Sequence, residues 1–149
     1  MKNKGYFGIG CLNMKRAMNY GTLFRTAQIL DADFIFLIGS KFEQHKTDTM
    51  NSWKHIPTFV YKDFKDFNNH RPHDCKLVGI ELTDGATLLA DFEHPEQACY
   101  LLGSEDNGLT REALDHCQEI VRLPGENCLN VSVAGSIVLY DRISKASKK

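Results

Sequence analysis

Two segments in the last third of the chain hold residues that could do chemistry: GSEDNGLT at Gly103–Thr110 and LPGENCLNVSVAGSIVLY at Leu123–Tyr140. Each follows a short apolar run, QACYLL before the first and EIVR before the second. An apolar run that stops at glycine, acidic and amide residues reads as a strand delivering a functional loop. Two such loops from neighbouring strand ends would form one site. In the first, Gly103 and Gly108 permit backbone to approach an uncharged part of a ligand closely, with Glu105 aimed into the site. The glycine spacing matches a phosphate-binding loop, but Leu109 stands where that loop needs lysine. Glu105 and Asp106 would also repel a phosphate, which disfavours kinase or NTPase chemistry. Taken alone, the loop is equally an ordinary strand–turn–helix corner with Asn107–Gly108 as its turn.

Asn130, just before a run of helix-compatible residues, is a good N-cap, and Ala134, Gly135 and Ser136 behind it permit close packing. Asn19 reads the same way ahead of Thr22–Leu30, whose apolar face holds Leu23, Ala27 and Leu30 with Arg25 off it. Two asparagine-led helices, one carrying Arg25, would gather polar groups with Glu105 around a shared pocket. Gly8-x-Gly10-x-x-Asn13 nearly matches a dinucleotide fingerprint, but Asn13 replaces the third glycine. Plain strand glycines fit that segment better.

The elements that must position these groups alternate along the chain. Strands are expected at Tyr6–Leu12, Phe34–Gly39, Ile56–Tyr61, Lys76–Leu82, near Ala98–Gly103 and at Glu119–Leu123. Helices are expected at Thr22–Leu30, Lys62–Phe67, Leu109–Cys117 and from about Val131 to Ile143. Such alternation predicts an α/β fold, a mostly parallel sheet with helices on both faces. The polar segment Lys41–His55 reads as a loop or irregular helix over the active face.

Bulk properties narrow the function classes. At 149 residues the chain suits a single domain, residues 1–149. Hydrophobic content of 42% beside 25% charged residues is globular. No apolar run approaches the ~20 residues of a membrane span, and no signal-peptide core is visible, so a cytoplasmic location without membrane contact is expected. A net charge of −1 argues against indiscriminate nucleic-acid binding. RNA contact would need local patches, such as Lys15–Arg16 or the tail residues Arg142, Lys145, Lys148 and Lys149, although short basic runs are more often solvated faces. Five cysteines without a C-x-x-C pair fit neither a disulfide framework nor a zinc site. Cys11 and Cys99 read as core residues. Pro72 between His70 and His73 argues against a helical metal pair, so no metal is expected.

Three segments then resemble one known family when taken together: Asn19-x-Gly21-x-x-x-Arg25-Thr-Ala, Leu102-Gly-Ser-Glu-Asp-Asn-Gly-Leu109, and Leu123-Pro with Leu129-Asn-Val-Ser-Val-Ala134. They match, in order, the three motifs of SpoU/TrmH-type RNA ribose methyltransferases of the SPOUT superfamily, and they span most of the chain. The resemblance implies an α/β sheet whose C-terminal segment forms a trefoil knot, an exception to the no-knot rule. It implies S-adenosylmethionine held there by Ile80, Leu102, Gly103, Leu123, Cys128 and Leu129, largely through backbone groups. It also implies a homodimer acting on tRNA or rRNA, with Asn19, Arg25, Glu105 and Asn130 as the catalytic cluster.

The implied reaction is methyl transfer to a ribose 2′-hydroxyl, the group that separates RNA from DNA. Family proposals make the motif arginine the base. A guanidinium, with a pKa above about 12, is better suited to a bidentate grip on the target's phosphate, with Glu105 and Asn130 orienting it and the donor. Many relatives carry serine where this chain has Cys128, and longer relatives add a separate RNA-binding domain, so the resemblance implies a single methyltransferase domain without one here. RNA recognition would fall to the dimer surface, the Lys41–His55 loop and the basic tail, with Trp53 either a stacking platform or core. Two alternatives stand beside this reading: a non-catalytic RNA-binding or assembly protein that kept the fold, and a nicotinamide oxidoreductase, which the broken Gly8–Asn13 fingerprint disfavours.

Overall fold

A computed structural model describes residues 4–15, 17–39 and 54–148, with the side chains of residues 17–19 outside that description. Trp53 and most of the Lys41–His55 segment, like Arg16 and Lys149, lie outside the described residues. The elements run β1 (Tyr6–Leu12), α1 (Ala17–Ile29), β2 (Phe34–Ile38), β3 (Thr58–Tyr61), α2 (Phe64–His70), β4 (Lys76–Ile80), β5 (Thr87–Leu88), β6 (Gln97–Leu102), α3 (Arg111–His116), β7 (Glu119–Arg122) and α4 (Val131–Ala146). A 3-10 turn at Leu89–Asp91 follows β5. The seven strands form one sheet in the order β3-β2-β1-β6-β4-β7-β5, and each of its pairings is parallel.

A parallel sheet covered on both faces needs strands that are apolar in both directions, and the inner strands here are. Phe7, Ile9 and Cys11 of β1, Ile35 and Leu37 of β2, and Ala98, Tyr100 and Leu102 of β6 join one core with α1 and α4. The intervening Phe34, Phe36, Ile38, Cys99 and Leu101 join a second core with Phe64 and Phe67 of α2 and Ala113 of α3. Helices therefore cover both faces, as the strand–helix alternation requires. Phe34 and Phe36 lie across Gly8 and Gly10, where any Cβ would collide with their rings. Those two glycines are strand residues making room for aromatics, not a dinucleotide loop.

The two long helices pack on each other over the first core. α4 presents Val131, Ala134, Gly135, Val138, Leu139 and Ile143 inward at helical spacing. Gly135 lets the helix settle on Leu23, Ile9 and Leu102, whose methyl groups occupy the space a Cβ would take.

The structure corrects three sequence expectations. α1 begins at Ala17, so Asn19 lies inside its first turn and does not cap a helix starting at Thr22. The short second helix starts two residues later than expected, because Asp63 caps it by accepting from the Asp66 N–H at 2.8 Å. β5 was not expected, and two residues are too few to show a period.

Candidate active site

The carboxyl ends of β4, β6 and β7 open onto a cleft of about 520 Å³, a size that suits a small-molecule ligand. Ile80 ends β4, Leu102 ends β6 and Leu123 directly follows β7, and all three line it. Gly103, Ser104, Glu105, Asp106, Asn107 and Gly108 form one wall. Asn127 to Val131, with Ala134 behind, form the other at the N-terminus of α4.

Each wall has a local cause. Beyond β6 the chain folds back on itself: Ser104 and Gly108 exchange backbone hydrogen bonds at 3.0 and 3.3 Å, and the Ser104 hydroxyl accepts from the Asn107 N–H at 3.1 Å. Gly108 has φ +65°, which favours glycine, and its backbone lies so close to Gly103 that a Cβ there would strike it. The turn is closed at its base, and both glycines are required by it. Thr110 then caps α3, accepting from the Ala113 N–H at 3.2 Å. On the other wall Asn130 caps α4, its carboxamide oxygen accepting from the N–H groups of Ser132 at 2.9 Å and Val133 at 3.3 Å and from the Ser132 hydroxyl at 2.7 Å. Such caps contribute about 1 kcal/mol each.

All six residues expected to hold a donor, Ile80, Leu102, Gly103, Leu123, Cys128 and Leu129, line this one cleft, as do Glu105 and Asn130. Cys128 and Leu129 are exposed on its rim. Arg25 is exposed on α1 and is not among the described residues lining the cleft. Asn19 lies in the first turn of the same helix, its side chain outside the described residues. Eight of the ten expected residues thus meet around the cleft, and α1 carries the other two.

The cleft is acidic, with Glu81, Glu105 and Asp106 and no cationic side chain in its described lining. Glu105 accepts from the Lys15 N–H at 3.2 Å, and the Lys15 ammonium pairs with Asp106 at 2.9 Å. That hydrogen bond and the Asp106 charge raise the Lys15 pKa. Burial pushes the Cys11 thiol well up, with a smaller push from Glu105, so this cysteine is an inert core residue. All five cysteines are free. Among the described residues no cluster of histidine, cysteine and carboxylate side chains could hold a metal ion, and no helix is long and apolar enough to cross a membrane.

Two of the four cations of the basic tail are engaged inside the fold, while Lys148 is exposed and Lys149 lies outside the described residues. Arg142 is buried, donating to the carbonyls of Lys4, Pro95 and Glu96 and to the Tyr100 hydroxyl at 2.9 Å, with its guanidinium 4.5 Å from the Phe7 ring. Lys145 donates to the carbonyls of Leu89 and Phe92 and pairs with Asp141. These two cations pin α4 to the loops at the amino ends of the strands. Glu81 was missed by the sequence reading, although an acidic residue directly after the apolar run Lys76–Ile80 was a visible signal.

A cleft of this kind at strand ends is common to many α/β proteins, and the whole-chain pattern decides among them. Residues 7–140 match the model of the SpoU rRNA methylase family. The chain belongs to that family. A tRNA (guanosine(18)-2′-O)-methyltransferase of Escherichia coli (strain K12) is 28% identical over 95 residues, which cover 61% of this chain and 41% of that protein. An uncharacterized tRNA/rRNA methyltransferase of Archaeoglobus fulgidus is 29% identical over 143 residues, 86% of this chain and 60% of its own length. The chain therefore spans less than two thirds of either relative. An AdoMet-bound rRNA methyltransferase from Sinorhizobium meliloti superposes with a TM-score of 0.85 at 23% identity, over 95% of this chain and 57% of that one. That likeness is one of fold, and it extends along nearly the whole chain.

Proposed function

We propose that this SpoU-family chain is an S-adenosylmethionine-dependent methyltransferase acting on a ribose 2′-hydroxyl of tRNA or rRNA, as a homodimer in the cytoplasm. One observation carries the reading: the six expected donor residues, Glu105 and Asn130 surround a single cleft at the carboxyl ends of β4, β6 and β7. The relative from E. coli is named for the same 2′-O transfer, and the S. meliloti structure contains AdoMet.

The cleft suits this donor chemically. Leu102, Leu123 and Leu129 offer apolar surface, Gly103 brings backbone to the wall without a side chain, and carboxylates face a donor that carries positive charge. The donor supplies an activated methyl group bonded to a sulfonium. The chain's own task is to hold a ribose hydroxyl in line with it and to manage the departing proton. Arg25, exposed on α1, would grip the target's phosphate bidentately. Glu105 would orient the reacting groups or take up the proton, and Asn130 would keep the α4 wall in place through its cap. Asn19 would complete the cluster from α1.

The reading includes a C-terminal trefoil knot, in keeping with the family. α4, which follows β7 and starts at the cleft, is the segment it would involve. The dimer is supported by a stripe on α4 that stays exposed, Val133, Ile137 and Tyr140 at helical spacing, with exposed Ile29 on the helix packed against it.

The test is calorimetric titration with S-adenosylmethionine, followed by methylation of bulk RNA and 2′-O-methyl mapping of the product. Donor binding with new 2′-O-methyl groups is expected. Failure to bind the donor would sink the proposal, and RNA binding without any transfer would establish the non-catalytic alternative.

A further inference from the structure

The structure points to Glu81 as a positioning residue for donor binding, and we propose that its carboxylate sets the shape of the donor-binding wall. The inference rests on the donor reading of the cleft given above. Glu81 directly follows β4, and its own N–H donates to the Val121 carbonyl at 3.1 Å, which fixes its backbone to the neighbouring strand β7. Its two carboxylate oxygens serve different segments. Oε1 accepts from the Leu82 N–H at 3.2 Å, and Oε2 accepts from the Leu109 N–H at 2.7 Å. The second bond spans 28 residues and joins the end of β4 to the end of the Gly103–Leu109 turn.

The same carboxylate lies against Gly108, where a Cβ would collide with Oε2. Gly108 and Leu109 in turn lie against Gly103, filling the space a Cβ would need there. The chain of contact therefore runs from the Glu81 carboxylate through Gly108–Leu109 to the backbone of Gly103, the point where the wall meets its ligand. Leu109 is buried in the second core and Thr110 caps α3, so the far side of the turn is anchored as well. Only a carboxylate can accept from both amides at once. An amide side chain keeps one acceptor oxygen and would turn an N–H donor toward an N–H.

Glu81→Gln should therefore weaken binding of S-adenosylmethionine and of its demethylated product S-adenosylhomocysteine alike, each by about tenfold or more, because the wall and not the sulfonium contact is altered. Calorimetry with both ligands reads this directly. KM for the donor should rise in step with Kd, and kcat should fall by less than KM rises, a split that general destabilisation would not produce. If Glu81→Gln fails to fold, Gly108→Ala probes the same contact from the other side by pushing a methyl group at the carboxylate, and it should show the same paired loss. Unchanged affinity in a folded Glu81→Gln protein would overturn the inference. So would a loss confined to the sulfonium ligand, since that means a direct charge contact. A wild-type protein that binds neither ligand would overturn the donor site itself and this inference with it.

Discussion

The backbone N–H of Lys15 donates to the carboxylate of Glu105 at 3.2 Å, tying the segment after β1 to the turn after β6 across 90 residues of sequence. The bond needs only an acceptor oxygen, whereas a catalytic role would need the charge. Glu105→Gln should keep the acceptor, so the fold and donor affinity should stay close to wild type. Methyl transfer should fall by about a hundredfold if the carboxylate manages the proton. Single-turnover transfer to RNA checks this, and a wild-type rate would remove Glu105 from the chemistry.

Gly103→Val should abolish stabilisation by S-adenosylmethionine. Its side chain would have to displace the backbone of Gly108 and Leu109, deforming the wall that the ligand meets. A ligand that binds only the folded state raises the melting temperature, so a thermal-shift titration reports the loss. A full wild-type shift in the folded variant would move the donor site elsewhere.

Arg25→Ala should eliminate methyl transfer and leave donor binding nearly intact. The side chain is exposed on α1 and stands outside the described lining of the cleft, so its partner is assigned as RNA. Calorimetry with the donor beside a bulk-RNA methylation assay separates the two effects. Retained activity would exclude Arg25 from the mechanism.

Ile137→Glu should convert the protein to monomer at micromolar concentration. Ile137 is 38% exposed between Val133 at 45% and Tyr140 at 66%, and a charge in the middle of that stripe would be desolvated in a self-complementary interface. The core lies on the opposite side of α4, so the monomer should remain folded. Light scattering with circular dichroism tests this, and a wild-type protein that is already monomeric would refute the dimer.

His94 should make stability sensitive to mild acid. Its ring has only 6% of its side-chain surface exposed, with one nitrogen 2.6 Å from the Tyr100 hydroxyl and the other 2.7 Å from Asp141. Burial lowers its pKa below the usual 6.5, outweighing the nearby Asp141 carboxylate, which raises it. The unfolded chain then binds more protons than the folded one in the window below 6.5, so stability rises with pH there. The contribution is complete above that value and is lost as pH falls toward the folded one. Melting temperature should drop as pH falls below 6.5, and His94→Gln should flatten that part of the profile. An unchanged profile would assign the slope to other groups.

The strand–helix alternation, the parallel sheet covered on both faces and the two loops that wall the cleft were all legible in the amino-acid order. These are local signals: Phe34–Ile38 is apolar at every position, Leu23 and Ala27 recur at helical spacing, and Asn130 precedes its helix as a cap must. Ordered motifs added the family, because spacing along the chain survives without any knowledge of contacts. Tertiary structure alone decided which polar groups are occupied inside the fold. Arg142 and Lys145 read as a solvated tail, yet they are fixed by carbonyls of Lys4, Leu89, Phe92, Pro95 and Glu96, residues far away in sequence. Glu81 gave one weak cue, and its role depends on the Leu109 N–H arriving beside it. A backbone donor buried away from water must find an acceptor, and the acceptor it finds is set by packing across the sheet, which no local pattern in the sequence records.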